Sequence, residues 1–513
     1  MEDKPDPRHA VAGELLRSSV LSLLNYSIGI PVGLLLVPFL LRSLGAEGYG
    51  LWTAANVLIG YTGMVQLGVV NATLKFVAEH DRRREDAEVS RVLSSALAIH
   101  LTIAAAIVLL WLGADRWLAR WTLDARAAAL PFSARVVWAA LALYLARFPL
   151  LAYTGVISGV QRQDLVQAIN LAVTLAFAAA AVLILRRGGG VLELVWASTA
   201  IAGLATLAYM FVAHRLRPGL VVSPALVTRE SVDRVLGFGL RVWASTMSSN
   251  VHLTMDKTTL VSALGRTDLL GLYHIAQETV EKVQSIPLLV LSPLMAQVSG
   301  LHGSGEQGAL QGLYRRAMRY DWIAAALMFG GAYTVGDAFI RVWLGAEQPY
   351  VVRCLFVLCI GWGASALSSP AAAYLYGMGF PGDGLGASFV GGALNIALAL
   401  GIGLGIGPDW LAVGTTVALS VETAWLWERF HRRTGYPLRE TFVPEVPRIL
   451  GSAVLANLVA SSLTAGASRA NPLPLLAGGG VYCAVFALAI VLTGALDARD
   501  RATVERLLGR SAH

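Results

Sequence analysis

The residues best suited to chemistry lie in two stretches in the second half of the chain that are otherwise apolar. In the first stretch, polar side chains recur at steps of three and four positions: Arg241, Ser245, Ser248, His252, Asp256 and Thr259. This spacing predicts one polar face on a helix of about five turns. A charged side chain at the centre of a bilayer costs roughly 2.5–3.5 kcal/mol, so each needs a partner or a water-filled cavity.

The second stretch repeats this pattern. It carries His274, Gln277, Glu278, Glu281 and Ser285, with Lys282 four residues after Glu278 and able to pair with it. Further polar residues in apolar surroundings are Asn25, Asn56, Tyr144, Arg147 and Asn395. Together these residues predict a wet, largely cationic space between helices.

Simpler interpretations of the same residues stay open. Asp256 with Arg241, or Glu278 with Lys282, could serve only to hold helices together. His252 and His274 are each favoured as a hydrogen-bonded helix contact over a proton relay. The asparagines are likewise favoured as contacts between helices over ligand contacts.

The elements that position these residues follow from composition. The chain has 513 residues, of which 56% are apolar and only 14% charged, and its mean hydropathy is +0.61. These values exclude an ordinary soluble domain and predict an all-α polytopic membrane protein. A window of about 19 residues gives about 14 transmembrane helices, at 18–41, 50–74, 92–113, 133–157, 165–185, 191–213, 235–263, 271–295, 321–340, 354–376, 385–405, 410–428, 449–467 and 473–493.

Charge placement predicts the orientation of these spans. Of the 40 Lys and Arg residues, 25 lie in loops on one side and 10 in loops on the other. The positive-inside rule therefore places both termini in the cytoplasm. The basic clusters at 82–84 and 429–433 are interpreted as topology signals that contact anionic lipid, and no nucleic-acid partner is expected.

A short repeat predicts two lobes. Leu44-Gly45, followed after four residues by Gly50-Leu51-Trp52, is matched by Leu264-Gly265 and, after five residues, Gly271-Leu272-Tyr273. The offset of six spans suggests two parallel six-helix lobes with a site between them near the midplane, plus two C-terminal helices. The predicted boundaries are a cytoplasmic segment 1–17, an N-lobe 18–213, a linker 214–234, a C-lobe 235–428, a cytoplasmic loop 429–448, two helices at 449–493 and a tail 494–513.

Motifs for catalysis and for cofactors are absent from the sequence. None of the four lysines follows a glycine, so no Walker A lysine exists and no nucleotide partner is expected. There is no HExxH or GxSxG motif, and neither the histidines nor the three cysteines show metal-ligand spacing. We therefore expect no cofactor, no metal and no enzymatic activity.

Residues 37–52, VPFLLRSLGAEGYGLW, together with Gly60-Tyr61 and 66–69 (QLGV), resemble the opening of Wzx-type polysaccharide transporters. These are oligosaccharide flippases of the multidrug/oligosaccharidyl-lipid/polysaccharide exporter superfamily. The segment from Asp256 through 264–265 to 271–273 resembles the start of that family's second lobe. The resemblance implies a V-shaped bundle of two six-helix lobes plus two helices.

The resemblance also implies a function. Such a protein moves an undecaprenyl-diphosphate-linked oligosaccharide from the cytoplasmic to the periplasmic leaflet of the bacterial inner membrane, for O-antigen, capsule or exopolysaccharide synthesis. Its partners would be this substrate, membrane lipids and a polysaccharide polymerase with other assembly proteins. The implied cavity cations are Arg147, Arg241, Lys257 and Lys282, and the coupling candidates are Asp256, Glu278 and Glu281.

Other functions are weighed against this one. A cation-coupled drug or metabolite exporter of the same superfamily is the nearest, but cationic drugs favour an acidic, aromatic pocket. A lipid II flippase is a further relative. A membrane glycan ligase or polymerase would need a long outward loop with reactive residues, and a scaffold would seldom keep this many charges in its spans.

Overall fold

The computed structural model describes residues 7–64, 66, 68–122, 145, 148–291, 294, 297–298, 301–302 and 306–495. Within these ranges the regular elements are helices and no residue lies in a strand. Nine candidate spans in the described chain are long and apolar enough to cross a membrane. The all-α polytopic class is confirmed, whereas the number of fourteen spans stays a prediction.

The helices of the first half begin with a long α1 that contains a break. It is interrupted at Gly45, whose φ of 71° and ψ of 172° are not helical. The helices are α1 (Pro7–Met64), α2 (Val69–Arg82), α3 (Asp86–Thr122), α4 (Ala152–Gly159), α5 (Gln163–Arg186) and α6 (Val191–Leu216).

The second half continues the same pattern of long helices with short connections. They are α7 (Arg229–Thr258), α8 (Thr267–Leu291), α9 (Gln307–Leu344), α10 (Pro349–Leu367), α11 (Ser369–Gly377), α12 (Pro381–Gly405), α13 (Leu411–Thr434), α14 (Val446–Ser461) and α15 (Leu473–Leu492). A π-helical turn, Thr259–Ala263, follows α7 directly.

Several boundaries differ from the predicted spans. The second predicted span, 50–74, corresponds to the end of α1 and to α2, which continues to Arg82. The tenth, 354–376, is broken at Ser368 between α10 and α11. Hydropathy averages over a window, so it detects neither a local break nor a helix that continues into polar residues.

The chain forms two compact units. The first contains Met1–Asn250 and Lys257–Gly271, and the second contains Val251–Asp256 and Leu272–His513. The lobe boundaries predicted from the sequence stay a prediction.

Each unit has its own apolar core. In the first, α2 buries Val69, Ala72, Phe76 and Val77 against α3, α4 and α6. In the second, Tyr314 of α9 stacks on Phe430 of α13 with ring centroids 4.1 Å apart. These faces follow the helical period, as the sequence pattern requires.

The two copies of the sequence repeat pack against each other inside the first unit. A Cβ atom on Gly50 would lie 1.9 Å from the carbonyl oxygen of Thr267, and one on Gly271 would lie 2.6 Å from the ring of Tyr49. Only glycine allows backbones to approach this closely. The repeat therefore forms a contact between helices as well as a sequence similarity.

Candidate functional site

Asp256 is the most deeply buried of the predicted coupling carboxylates. It lies near the end of α7 and is 2% exposed. The π-helical turn begins three residues later. Such turns interrupt regular helices and occur often at functional sites.

Two hydroxyl groups hold the Asp256 carboxylate. Tyr273 of α8 and Thr415 of α13 each donate a hydrogen bond to Oδ2 of Asp256. Both donors are fully buried. Hydroxyl donors stabilise the carboxylate by hydrogen bonding without cancelling its charge.

Asn395 of α12 extends this cluster. Its Nδ2 donates to Oγ1 of Thr415 at 2.9 Å, which leaves the threonine proton directed at Asp256. The Oδ1 atom of Asn395 is buried and has no hydrogen-bond partner among the residues that the structure describes. Four residues of the second unit, each from a different helix, thus bring oxygen atoms together, and we call Asp256, Tyr273, Asn395 and Thr415 the carboxylate–hydroxyl cluster.

The polar residues predicted on α8 are more exposed than Asp256. Lys282 Nζ lies 4.0 Å from Glu278 Oε1, and His274 Nε2 lies 3.6 Å from Oε2 of the same residue. The Lys282 side chain is 55% exposed. Glu281 is half-buried. Exposed pairs of this kind contribute little to stability.

The remaining predicted residues are partly described. Lys257 is buried, with 8% exposure. Asn56 is exposed and its Nδ2 donates to the carbonyl of Trp52 at 2.8 Å, within its own helix. Tyr144 and Arg147 lie outside the described residues, and so do the side chains of Asn25, Arg241, Ser245, Ser248 and His252.

A second buried carboxylate lies at the loop after α13. Arg315 donates to both carboxylate oxygens of Glu440, at 2.8 and 2.7 Å, and Gln311 donates to Oε1 at 3.2 Å. The hydrogen bonds from Arg315 lower the pKa of Glu440, against the opposing effect of burial. Bidentate pairing with a guanidinium fixes this carboxylate in its charged form.

The same loop contains a chain of buried hydrogen bonds. His431 lies 2.8 Å from both the carbonyl of Tyr436 and Oγ1 of Thr441. The hydroxyls of Tyr314 and Thr441 are 2.7 Å apart. Burial lowers the pKa of His431, although the hydrogen bond to Tyr436 opposes it. These hydrogen bonds join the loop to His431 of α13 and Tyr314 of α9.

A third carboxylate, Asp321 of α9, is 1% exposed. Neither of its oxygens has a hydrogen-bond partner within the described ranges. It lies four residues from Ala317 and Ala325, both buried, on the packed face of its helix. Burying such a group is unfavourable for the fold.

Sequence reasoning missed two members of the carboxylate–hydroxyl cluster. Tyr273 was noted only as part of the repeat, and Thr415 was not singled out. Helical period shows which residues share a face on one helix, but not which residues of other helices meet them. Thr415 next to Thr416 in an apolar span was the available signal.

The family model described as "Polysaccharide biosynthesis protein" matches residues 15–299. A putative O-antigen transporter from Shigella flexneri is 30% identical over 98 residues, which are 19% of this chain and 23% of that protein. The match thus spans less than a quarter of that relative's length.

Solved structures share the fold. The lipid II flippase MurJ in an inward closed conformation aligns with a TM-score of 0.72 at 11% identity, covering 93% of this chain and 98% of that one. An inward-facing multidrug resistance MATE family transporter of the MOP superfamily aligns with a TM-score of 0.62 at 15% identity, covering 78% of this chain and 94% of that one. At these identities the likeness shows the fold alone.

Family and fold agree with the resemblance in the sequence. The matched family covers more than half of the chain, and the solved structures that share the fold are a transporter and a flippase. The chain is a multi-pass membrane protein that belongs to the polysaccharide biosynthesis protein family.

Proposed function

We propose that this protein is a flippase for an undecaprenyl-diphosphate-linked oligosaccharide. It moves this substrate from the cytoplasmic to the periplasmic leaflet of the bacterial inner membrane by alternating access through a cationic central cavity. The observation that carries the proposal is family membership together with a fold shared with a lipid II flippase over 93% of the chain. A diphosphate and a glycan cannot cross hydrocarbon unaided, because each unsatisfied polar group costs several kcal/mol there.

Charged and neutral side chains have separate roles in the proposed cavity. Arginine and lysine supply the positive charge that a diphosphate requires, and hydroxyl and amide groups suit sugar hydroxyls. The proposed phosphate contacts are Arg147, Arg241, Lys257 and Lys282. The proposed sugar contacts are Asn25, Asn56, Tyr144, Ser245, Ser248 and His252.

In this proposal transport is driven by an ion gradient or by downstream consumption of the product, since the sequence has no nucleotide-binding motif. The carboxylate–hydroxyl cluster is the proposed coupling site, and Glu278 and Glu281 are further candidates. The carboxylate, amide and hydroxyl oxygens of the carboxylate–hydroxyl cluster are the ligand types that hard cations prefer. A proton on Asp256 or a small monovalent cation among these oxygens would change the charge in a buried place, which favours one conformation over another.

The product would be consumed on the periplasmic side. A polysaccharide polymerase and other assembly proteins of O-antigen, capsule or exopolysaccharide synthesis are the proposed partners. Both termini are placed in the cytoplasm, in accordance with the charge bias of the loops.

The proposal is tested by measuring lipid-linked oligosaccharide in cells that lack the protein. We expect accumulation of a diphosphate-linked glycan that an impermeant glycosidase added to the periplasmic side cannot digest. Wild type restores its exposure, whereas Arg147→Gln, Arg241→Gln and Asp256→Asn do not. Unchanged glycan intermediates with reduced efflux of small molecules would instead favour the alternative of a drug or metabolite exporter.

The coupling site is tested on purified protein. Thermal unfolding is followed while sodium, lithium or pH is varied, because a ligand that binds the folded state raises the unfolding temperature. We expect Asp256→Asn to remove the dependence on sodium or lithium and only that part of the pH dependence that comes from Asp256. Asp337→Asn is the matched control, since the half-exposed Asp337 of α9 pairs with Arg341 at 3.1 Å. Equal ion dependence in wild type and Asp256→Asn would contradict the assignment.

A further inference from the structure

Many basic side chains of the first unit lie against carboxylates, which reduces their net charge. These pairs are Arg91 with Glu88, Arg217 with Asp81 and Asp86, Arg234 with Glu230, and Arg266 with Asp268.

Lys75 of α2 is held differently. Its Nζ lies 4.8 Å from the centroid of the Phe76 ring and 4.4 Å from that of Phe238. Glu79, one turn away on the same helix, pairs with Arg83 at 3.5 Å. No carboxylate oxygen in the described part of the chain lies within 4.0 Å of the Lys75 ammonium.

The aromatic contact leaves the ammonium charged and able to donate. Rings attract a cation through their quadrupole and fix its position, but they carry no charge that cancels it. They also accept no conventional hydrogen bond, so the three N–H groups of Lys75 stay available for an anion.

A close backbone contact fixes the second ring. A Cβ atom on Gly68 would lie 2.2 Å from the carbonyl oxygen of Gly239, the residue after Phe238. Gly68 has a φ of 67° and precedes the first residue of α2. The start of α2 and this turn of α7 are therefore in direct backbone contact, and Lys75 and Phe238 meet two turns further along α2.

Lys75 belongs to an exposed polar face of α2. Asn71, Lys75 and Glu79 are exposed at steps of four residues, while Phe76 and Val77 are buried in the core of the unit. In a membrane span such a face requires water or lipid headgroups beside it. Helix α2 ends at Arg82, and the charge bias of the loops predicts that this basic end is cytoplasmic. Lys75 lies about 10 Å from this end along the helix axis, at about 1.5 Å per residue.

We propose that Lys75 binds the diphosphate of the lipid-linked substrate in the cytoplasmic half of the membrane. The rings of Phe76 and Phe238 position its ammonium. The inference rests on the proposed function and adds to it a cation that sequence analysis placed in a loop. Arg241 follows Phe238 by three positions on α7, so a second predicted cation is on the adjacent turn.

The test measures binding of geranylgeranyl diphosphate to the purified full chain in neutral detergent, by native mass spectrometry. Geranylgeraniol and phosphatidylglycerol are measured in parallel. Wild type is expected to bind the diphosphate more tightly than either. Lys75→Gln should raise the dissociation constant about 10- to 100-fold, as loss of a charged hydrogen bond predicts, and Lys75→Arg should restore most of the binding.

Two further variants separate the position of the ammonium from general charge. Phe238→Leu keeps the charge but removes one ring, so it should give an intermediate loss. Arg234→Gln removes a positive charge one turn from Phe238 and should leave the dissociation constant unchanged, because Arg234 pairs with Glu230 at 2.9 Å.

Several results would overturn the inference. One is equal affinity in wild type and Lys75→Gln, and another is an equal loss in Arg234→Gln. Phosphatidylglycerol binding that matches the diphosphate and falls equally in Lys75→Gln would make the site one for ordinary phospholipid. If wild type exports lipid-linked glycan in cells but does not bind the diphosphate, only the role of Lys75 fails. If it does neither, the proposed function fails with it.

Discussion

Asp256 and Glu440 are two buried carboxylates in the same unit that are held by opposite means. Asp256 accepts hydrogen bonds from the neutral hydroxyls of Tyr273 and Thr415. Glu440 accepts two from the guanidinium of Arg315. A guanidinium compensates the charge and fixes one protonation state, whereas hydroxyls do not. The comparison teaches that the chemical type of the donor, more than burial, separates a structural carboxylate from one able to change its state.

The largest effect is expected from removal of the guanidinium at Glu440. Arg315→Gln should lower the free energy of unfolding by about 3 kcal/mol, because it leaves a buried charge without its partner. Transport per folded molecule should not change. Arg353→Gln is the control, since Arg353 and Asp409 form an exposed pair at 2.9 Å and should contribute about 1 kcal/mol or less. Equal destabilisation of both variants would show that Arg315 stabilises the fold no more than an exposed pair does.

Two matched threonine variants test the difference between the surroundings of Asp256 and those of Glu440. Thr415→Val removes a donor to Asp256, and Thr441→Val removes the hydroxyl between Tyr314 and His431. Each should cost about 1–2 kcal/mol as a lost buried hydrogen bond. Only Thr415→Val should alter the ion dependence of thermal unfolding. An altered ion dependence in Thr441→Val would count against the assignment of the coupling site.

The pH dependence of stability tests Glu440 directly. Because its pKa is lowered in the folded protein, its contribution is complete above the unfolded pKa of about 4.3 and is lost as pH falls through the folded value. The unfolding temperatures of wild type and Glu440→Gln should therefore differ most at neutral pH and converge in acid. A constant difference at every pH would show that the ionised carboxylate is not the stabilising form.

The smallest effect is expected at Asp321, whose oxygens have no hydrogen-bond partner among the described residues. Asp321→Asn removes a buried ionisable group and should raise the free energy of unfolding by about 1 kcal/mol. Urea-dependent unfolding in mild detergent measures the change. Loss of transport in this variant, with stability unaltered, would give Asp321 a role like that of Asp256.

Sequence reasoning predicted the residues that stand out from apolar surroundings. Asp256 and Asn395 were singled out because polar groups in spans are costly, and the all-α membrane class followed from composition. Glu440 was not, because it lies in a polar loop and its burial depends on Arg315, 125 residues earlier. Pairing at that separation is a tertiary event that no local pattern encodes.

The surroundings of Lys75, near the end of a helix, were also not predicted from the sequence. The hydropathy window ended the second span at residue 74, so Lys75 was counted with a cytoplasmic loop. In the structure α2 continues through it to Arg82. The aromatic ring that marks its position, Phe238, comes from a helix that begins at Arg229.

The contact between Gly50 and Thr267 also sets an order for biosynthesis. The first unit includes Lys257–Gly271 as well as the chain before residue 251, and Gly50 packs on a carbonyl supplied by that late segment. A ribosome must therefore add more than 200 residues after Gly50 before the unit can close. Until then this surface of the early spans stays uncovered.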